Sequence, residues 1–186
     1  REKRGTVSEK RLASSGAALT LDFVTARTEF YEHPAALPTV EASSLRQDLY
    51  RRDFTINTMA LRLDKQHFGQ LVDFYGGEKD LEHRLIRVLH NLSFVEDATR
   101  MLRAVRLEQR LGLTIEKRTE ELMVEALDLL ARVSGERLRH ELYLSLQEAE
   151  PERILLRLDD LGILSRLHPA LHADARLARG RVPGHR

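Results

Sequence analysis

The sequence predicts an α+β fold in which a mixed first part is followed by an all-helical second part. Residues 17–23 alternate between apolar and polar side chains, which is the period-two pattern of a half-buried strand. Later in the chain, apolar residues recur at helical spacing, as at Leu138, Leu142 and Leu146. We therefore expect a boundary near residue 90, with strands and turns before it and a helical bundle after it.

In the first part, short elements are expected between turns. Residues 1–16 are polar and mixed in charge, and we expect a disordered lead-in there. Leu19 and Leu21 lie on one face of the following strand, and Asp22 lies on the other face. After a proline-containing loop we expect four elements in order: a helix N-capped by the serines at 43–44, a hairpin within 63–74, a helix after Gly76-Gly77, and a strand at 85–89.

The second part carries the signals of helix ends. Gly112 predicts a helix C-cap. Pro151 and Gly162 predict the start and the end of a later helix, because proline is favoured in the first turn of a helix and glycine just after its end. The tail, residues 172–186, is rich in Arg, Gly and Pro and is expected to be disordered. The expected helices span residues 95–111, 117–132, 136–149 and 152–161.

The composition permits a folded core and excludes several classes of protein. Hydrophobic residues make up 42% of the 186 residues, and 30 Lys and Arg nearly balance 29 Asp and Glu. A nucleic-acid partner would therefore need local clustering of positive charge. The absence of cysteine excludes disulfides and thiolate metal sites and fits the cytosol. No apolar run approaches the roughly 20 residues that span a bilayer, so we expect a cytoplasmic protein with no membrane partner. Because the chain starts at Arg1, we interpret it as a segment of a longer protein.

Two stretches could bind a charged, planar ligand. In "RRDFTIN" (51–57), adjacent arginines could hold phosphate, and Asp53 and Asn57 are four residues apart, so on a helix both could reach a sugar. In "SFVEDATRMLRAVRLEQRLG" (93–112), Asp97 and Arg100 are spaced to share one helix face and present an acceptor and a donor side by side. For residues 51–57, the alternative is a helix end with a pair of surface arginines. For residues 93–112, the alternative is a charged helix face exposed to solvent.

Together with "DFYGGEKDL" (73–81) and "VSGERLRHEL" (133–142), these stretches resemble the class II tRNA nucleotidyltransferase and poly(A) polymerase family. That family contains the CCA-adding and A-adding enzymes, and the resemblance covers about residues 19–149. It implies a partial head domain with a polymerase-β-type nucleotidyltransferase sheet, followed by helical neck and body domains. Residues 17–90 would be the C-terminal part of the head, and residues 91–171 would form the helical domain that binds RNA and nucleotide.

The resemblance also implies roles for single residues. Arg52, Asp53 and Asn57 would contact the ribose and phosphates of the incoming nucleotide. Asp97 and Arg100 would be the protein template that recognises the base edge of ATP or CTP.

Further residues would support this arrangement. Gly76 and Gly77 would lie in a flexible link between head and neck, and Glu136 and Arg137 would steady the turn that carries the template. The arginines at 103, 106 and 110 would brace the neck or bind RNA phosphate, with a solvated face as the alternative; Arg103 and Arg110 are the candidate RNA-binding residues.

One departure from the family concerns the catalytic centre. The family binds two Mg²⁺ ions with an Asp-x-Asp motif, and no Asp-x-Asp occurs in this sequence. Two-metal phosphoryl transfer requires closely placed carboxylates. Asp22 is the candidate for an additional catalytic and metal-binding carboxylate, with a solvent-facing strand residue as the alternative. We therefore expect this segment alone to be inactive.

The function that the resemblance implies is template-independent addition of A, or of CCA, to the 3′ end of tRNA from ATP or CTP with Mg²⁺. The alternative is a non-catalytic nucleotide- or RNA-binding fragment that needs a partner chain for the metal-binding carboxylates. A purely helical interaction module is disfavoured because both ligand-binding motifs are intact. A-adding, CCA-adding and poly(A) polymerase activities all stay open, as does the oligomeric state.

Overall fold

The computed structural model describes residues 8–14, 17–23, 25–30 and 39–174, with side chains at 25–26 and 43–174. The chain divides into two compact units, Arg1–Arg51 and Arg52–Arg186. This division differs from the boundary expected near residue 90. The reason is that Phe54, Ile86 and Val88 belong to the same apolar core as the later helices, so residues 52–90 pack with the second part. Residues 175–186 of the predicted tail lie outside the described residues.

Among its described residues, the first unit contains two antiparallel strand pairs and one helix. The strand predicted at 17–23 is confirmed as β2 (Ala17–Phe23), and it pairs with β1 (Ser8–Ser14) from Ser8↔Phe23 to Ser14↔Ala17. The disordered lead-in is therefore wrong over Ser8–Ser14. Only two residues separate these strands, and so short a connection lets their backbone groups pair without an apolar pattern in the first strand.

The rest of the first unit follows the expected order. β3 (Arg27–Phe30) pairs antiparallel with β4 (Thr39–Ala42). α1 (Leu45–Tyr50) then begins after Ser44, whose Oγ accepts a hydrogen bond from the backbone N–H of Gln47. The serine cap predicted at the start of this helix is confirmed. Much of the proline-containing loop, residues 31–38, lies outside the described residues.

The second unit opens with short elements. A 3₁₀ turn at Thr55–Asn57 is followed by a hairpin, in which β5 (Ala60–Leu61) and β6 (Leu71–Val72) pair antiparallel; its first strand lies just before the predicted range 63–74. α2 (Gly77–Glu82) and β7 (Leu85–Ile86) also lie where the sequence predicted them. The pairing of β7 with β8 (Thr114–Ile115), which is parallel, was not predicted.

Helices form most of the rest of the second unit as far as it is described, up to residue 174. They are α3 (Ser93–Glu96), α4 (Arg100–Leu111), α5 (Lys117–Glu125), a 3₁₀ segment Leu127–Arg132, α6 (Gly135–Leu146), α7 (Pro151–Asp160) and α8 (Ile163–Leu167). The single helix expected at 95–111 is therefore two helices. Gly112 ends α4 with φ of 62°, a conformation that glycine adopts without strain, so the predicted C-cap is confirmed.

α4 lies at the centre of the apolar core. Met101, Leu102 and Val105 are completely buried on one side of it, and Phe54 and Phe94 belong to the same core. Each such side chain contributes roughly 1.5–3 kcal/mol to stability when it leaves water. The α+β prediction with a helical second part is confirmed. Within the described part of the chain, no helix has both the length and the apolar character needed to cross a membrane.

Candidate nucleotide-binding site

The segment 51–57 brings its polar side chains together without being one α-helix. Phe54 is extended, with φ of −132° and ψ of 152°, and the 3₁₀ turn follows it. Even so, Asn57 Nδ2 donates to Asp53 Oδ1 at 2.9 Å, and the backbone N–H of Phe54 donates to the same oxygen at 2.9 Å. Arg52 Nη1 donates to the carbonyl oxygen of Asn57 at 3.3 Å. The tight turn therefore places Arg52, Asp53 and Asn57 next to one another.

Asp53 is also tied to α4 by an ion pair across 50 residues of sequence. Its Oδ2 accepts from Arg103 Nε at 3.0 Å and from Arg103 Nη2 at 2.6 Å. Burial alone would raise the pKa of Asp53, but the hydrogen bonds from Asn57 and Arg103 outweigh it and lower the pKa below its ordinary value. Asp53 is therefore ionised at neutral pH although its side chain is nearly buried.

A break between two helices falls between Asp97 and Arg100, and the backbone N–H of Arg100 donates to the carbonyl oxygen of Asp97 at 3.2 Å across it. α3 ends at Glu96, Asp97 is extended, and α4 begins at Arg100. Asp97 and Arg100 therefore do not belong to one continuous helix, which differs from the single helix that the sequence predicted. Asp97 Oδ1 accepts hydrogen bonds from the backbone N–H of Thr99 at 3.0 Å and from Thr99 Oγ1 at 2.7 Å. These bonds compete with the helical hydrogen bonds of the backbone and favour the end of α3 at this point.

Both of these residues are held by neighbouring groups. Asp97 Oδ2 accepts from Arg137 Nη2, on α6, at 2.7 Å. Arg100 is nearly buried and donates from Nη1 to Ser93 Oγ at 2.7 Å, with Glu96 at 3.5 Å from the same nitrogen. The contact of Arg137 with Asp97 fits the expectation that the segment 133–142 steadies the turn around Asp97.

The three arginines of α4 that follow Arg100 have different environments. Arg103 lies in the pair with Asp53, and Arg106 is buried against Glu141 at 3.2 Å. Arg110 is 54% exposed and lies 3.9 Å from Glu148. Arg103 thus braces the inside of the protein, because its Nε and Nη2 both donate to the carboxylate of Asp53, while the RNA contact expected for it stays a prediction. An RNA contact at Arg110 stays a prediction.

A chain of ion pairs joins the two motifs through α4 and α6. Arg103 Nη1 lies 3.7 Å from Glu141 Oε1, so Asn57, Asp53, Arg103 and Glu141 form a continuous series. Glu141 lies one helical turn after Arg137, the partner of Asp97. Segment 51–57 and the Asp97 turn are therefore both attached to the same face of α6.

An open cleft of about 500 Å³ lies on this face of α6. Its walls are Thr99, Glu136, Arg137, Arg139, His140, Glu141 and Tyr143. These include the partners of Asp97 and Arg103, but Asp53, Asn57, Asp97 and Arg100 themselves do not line it. Asp97 instead bonds directly to Thr99 and Arg137 in the wall of the cleft, and Asp53 is linked to the wall residue Glu141 through Arg103.

Gly76 and Gly77 lie in a tightly held turn. Gly76 has φ of 77°, and a Cβ on Gly77 would overlap the carbonyl oxygen of Thr55. Asp73, which the sequence analysis did not single out, accepts hydrogen bonds from the backbone N–H groups of residues 75, 76, 77 and 78 at 2.9–3.1 Å. These bonds lower the pKa of Asp73, against the opposing effect of burial. The sequence signal that could have identified Asp73 is its position just before Gly76-Gly77 and the predicted helix.

Asp22 was predicted to bind a metal ion, but its side chain is not among those that the structure describes. Its backbone lies in β2 opposite Glu9. Among the residues whose side chains are described, no group of three or more His, Asp or Glu is arranged to hold a metal ion. The described residues therefore do not fit the Mg²⁺ that the family resemblance implies, and no catalytic step through a metal is assigned to them.

Comparison with known protein families supports the family resemblance of the sequence. Residues 2–87 match the family model of the poly A polymerase head domain, and residues 112–174 match that of the probable RNA and SrmB-binding site of polymerase A. The A-adding tRNA nucleotidyltransferase of Geobacter sulfurreducens is 53% identical over 155 residues, which cover 82% of this chain and 18% of that protein. The A-adding enzyme of Halalkalibacterium halodurans is 44% identical over 149 residues, covering 78% of this chain and 35% of that protein.

Solved structures show the same relationship in three dimensions. A CCA-adding enzyme in apo form II superimposes with a TM-score of 0.82 at 41% identity, covering 93% of this chain and 42% of that one. A CCA-adding enzyme in complex with ATP gives a TM-score of 0.69 at 45% identity, covering 72% of this chain and 32% of that one. The chain therefore spans less than half the length of each of these relatives.

Proposed function

The chain belongs to the tRNA nucleotidyltransferase and poly(A) polymerase family, and from that membership we propose that it binds ATP for addition of adenosine to the 3′ end of tRNA. The observation that carries the proposal is the ion-pair series that attaches segment 51–57 and the Asp97 turn to one face of α6. A nucleotide has a sugar and phosphates at one end and a base at the other, and these two segments offer partners for both ends.

The base would be recognised at the Asp97 turn. Asp97 is a hydrogen-bond acceptor and Arg100 is a donor, and the exocyclic amine and ring nitrogen of adenine require that pairing. Both side chains are already oriented by Thr99, Arg137 and Ser93, so little conformational entropy is lost when the base binds. The protein would thus contribute positioning and electrostatic stabilisation.

We propose the A-adding activity in preference to the CCA-adding one. Support comes from the A-adding enzymes of Geobacter sulfurreducens, Aquifex aeolicus and Halalkalibacterium halodurans, which are 53%, 47% and 44% identical to the chain. A CCA-adding enzyme of Bacillus velezensis is 39% identical. CTP therefore remains the second candidate substrate. Magnesium as cofactor and the cytoplasm, where tRNA is processed, belong to the same proposal.

Equilibrium binding of ATP, CTP, GTP and UTP to the chain, measured by isothermal titration calorimetry, tests this proposal. We expect ATP to bind at least about tenfold more tightly than GTP or UTP, because a mismatched base leaves Asp97 or Arg100 without a partner, at a cost of roughly 1–3 kcal/mol. Equal affinity for all four nucleotides would contradict base recognition at the Asp97 turn. Absence of binding would contradict the proposed function as a whole.

A further inference from the structure

The guanidinium of Arg100 is held by α3, the short helix that precedes it. Arg100 Nη1 donates to Ser93 Oγ at 2.7 Å and to the carbonyl oxygen of Ser93 at 3.2 Å, and Glu96 Oε2 lies 3.5 Å from the same nitrogen. Ser93 and Glu96 are the first and last residues of α3. Because Arg100 is only 9% exposed, its positive charge is stabilised by a nearby carboxylate. The position of α3 therefore determines where this guanidinium lies.

α3 is too short to hold its own shape. It is a single turn of four residues, and the first turn of a helix costs more conformational entropy than its hydrogen bonds return. Phe94, which is 1% exposed, anchors the middle of the turn in the apolar core. That contact does not fix the two ends, where the groups that hold Arg100 are located. The ends need contacts of their own.

His90 contacts both ends of α3. Its carbonyl oxygen accepts a hydrogen bond from the backbone N–H of Ser93 at 3.1 Å. Its ring Nε2 lies 3.4 Å from Glu96 Oε2, the same oxygen that approaches Arg100. A protonated ring nitrogen can donate to a carboxylate in a neutral or a charged imidazole. Only 16% of the His90 side chain is exposed, so the ring is confined against its neighbours. A single residue thus spans the helix that holds Arg100.

We propose that His90 is a positioning residue for base selection, which acts through Ser93 and Glu96 on the direction of the Arg100 guanidinium. This inference rests on the proposed nucleotide-binding function and deepens it. Loss of the His90 ring would free the Glu96 end of α3, and Arg100 would then donate in a less defined direction. The choice between bases would suffer more than the folding of the chain, because Phe94 still anchors the turn.

The test compares the affinities of ATP and GTP for the chain and its variants by isothermal titration calorimetry. The unmodified chain should prefer ATP by at least about tenfold. His90→Ala should reduce this preference to less than about threefold, mainly by weakening ATP. His90→Gln should recover part of it, because the amide nitrogen still donates to Glu96. Glu96→Gln should also lower the preference. In an Arg100→Ala background, His90→Ala should change the preference no further, because both changes act on the same guanidinium.

His83→Ala is the matched control, since it removes an exposed imidazole whose Nδ1 lies 2.7 Å from the carbonyl oxygen of Lys79. It should leave the preference for ATP unchanged. A circular dichroism melt establishes that each variant is folded. If His90→Ala does not fold, Glu96→Gln decides the question, because that side chain is 51% exposed.

A tenfold preference that survives in the deciding variant overturns the inference and leaves the proposed function intact. Equal weakening of ATP and GTP in that variant also overturns it, since a merely structural role predicts that result. ATP binding without discrimination in the unmodified chain overturns the inference together with base recognition at the Asp97 turn. No ATP binding overturns the inference together with the proposed function.

Discussion

At the scale of the residue, the ion pair between Asp53 and Arg103 makes stability depend on pH in a defined direction. The pKa of Asp53 is lower in the folded chain than the ordinary value of 3.8, because hydrogen bonds from Asn57 and Arg103 outweigh burial. Folding is therefore stabilised by this carboxylate above pH 3.8, and that stabilisation is lost as the pH falls through the lower, folded-state pKa.

Asp53→Asn should destabilise the chain by about 1–3 kcal/mol at pH 7, because Arg103 loses a charged partner while it remains partly exposed. Urea unfolding of both proteins at pH 7 and pH 3 measures the effect. The difference between them should shrink at pH 3. Asp128→Asn, in an ion pair whose carboxylate is 83% exposed, should change stability little at either pH. A difference for Asp53→Asn that grew towards low pH would contradict the assigned protonation.

At the scale of the element, the turn that leads into α2 is fixed by two distinct requirements. Asp73 binds four successive N–H groups at the helix start, and Gly77 approaches the backbone of Thr55 more closely than any side chain allows. The glycines are thus explained by geometry in the described structure. The role of this segment as a flexible link stays a prediction from the family resemblance.

Gly77→Ala should destabilise the second unit by about 3 kcal/mol, since the added methyl group forces the backbone of the turn or of Thr55 to move. Gly135→Ala is the matched control, because a Cβ at that helix start meets no atom within 4 Å. It should be neutral or slightly stabilising. Thermal melts of the two variants compare them directly, and equal melting temperatures would show that the close approach at Gly77 is not a constraint.

Elements whose ends are marked by local chemistry were predictable from sequence. Gly112 ends α4, and Pro151 and Gly162 bound the α7 region as expected. The break between α3 and α4 was not predicted, because it depends on whether the side chain of Asp97 binds the backbone N–H of Thr99 or the helix continues through both residues. The ion-pair partner of Asp53 could not be predicted from nearby sequence either. Arg103 is 50 residues away and is one of several arginines with similar spacing.

At the scale of the whole molecule, the chain combines the contacts that we propose to orient the nucleotide with a sequence that contains no Asp-x-Asp motif. The orienting contacts run from Asn57 through Arg103 and Glu141 and from Asp97 to Arg137, and all of them lie in the second unit. We propose that these residues select and position the nucleotide, whereas metal-binding carboxylates of the Asp-x-Asp type catalyse the transfer of the nucleotide to tRNA. Base selection should therefore be separable from catalysis.

The most direct measurement of that claim is nucleotide incorporation by a fusion that places an Asp-x-Asp segment of the family ahead of this chain. Its substrates are tRNA lacking the terminal adenosine, Mg²⁺, and each of ATP, CTP, GTP and UTP. We expect the fusion to incorporate A, the chain alone to incorporate nothing, and Asp97→Ala and Arg100→Ala to reduce discrimination among the nucleotides by about one to two decades. Arg153→Ala, which breaks an exposed ion pair with Glu150, should leave discrimination unchanged. If Asp97→Ala and Arg100→Ala both kept the nucleotide preference of the unmodified fusion, the assignment of base recognition to the Asp97 turn would be wrong.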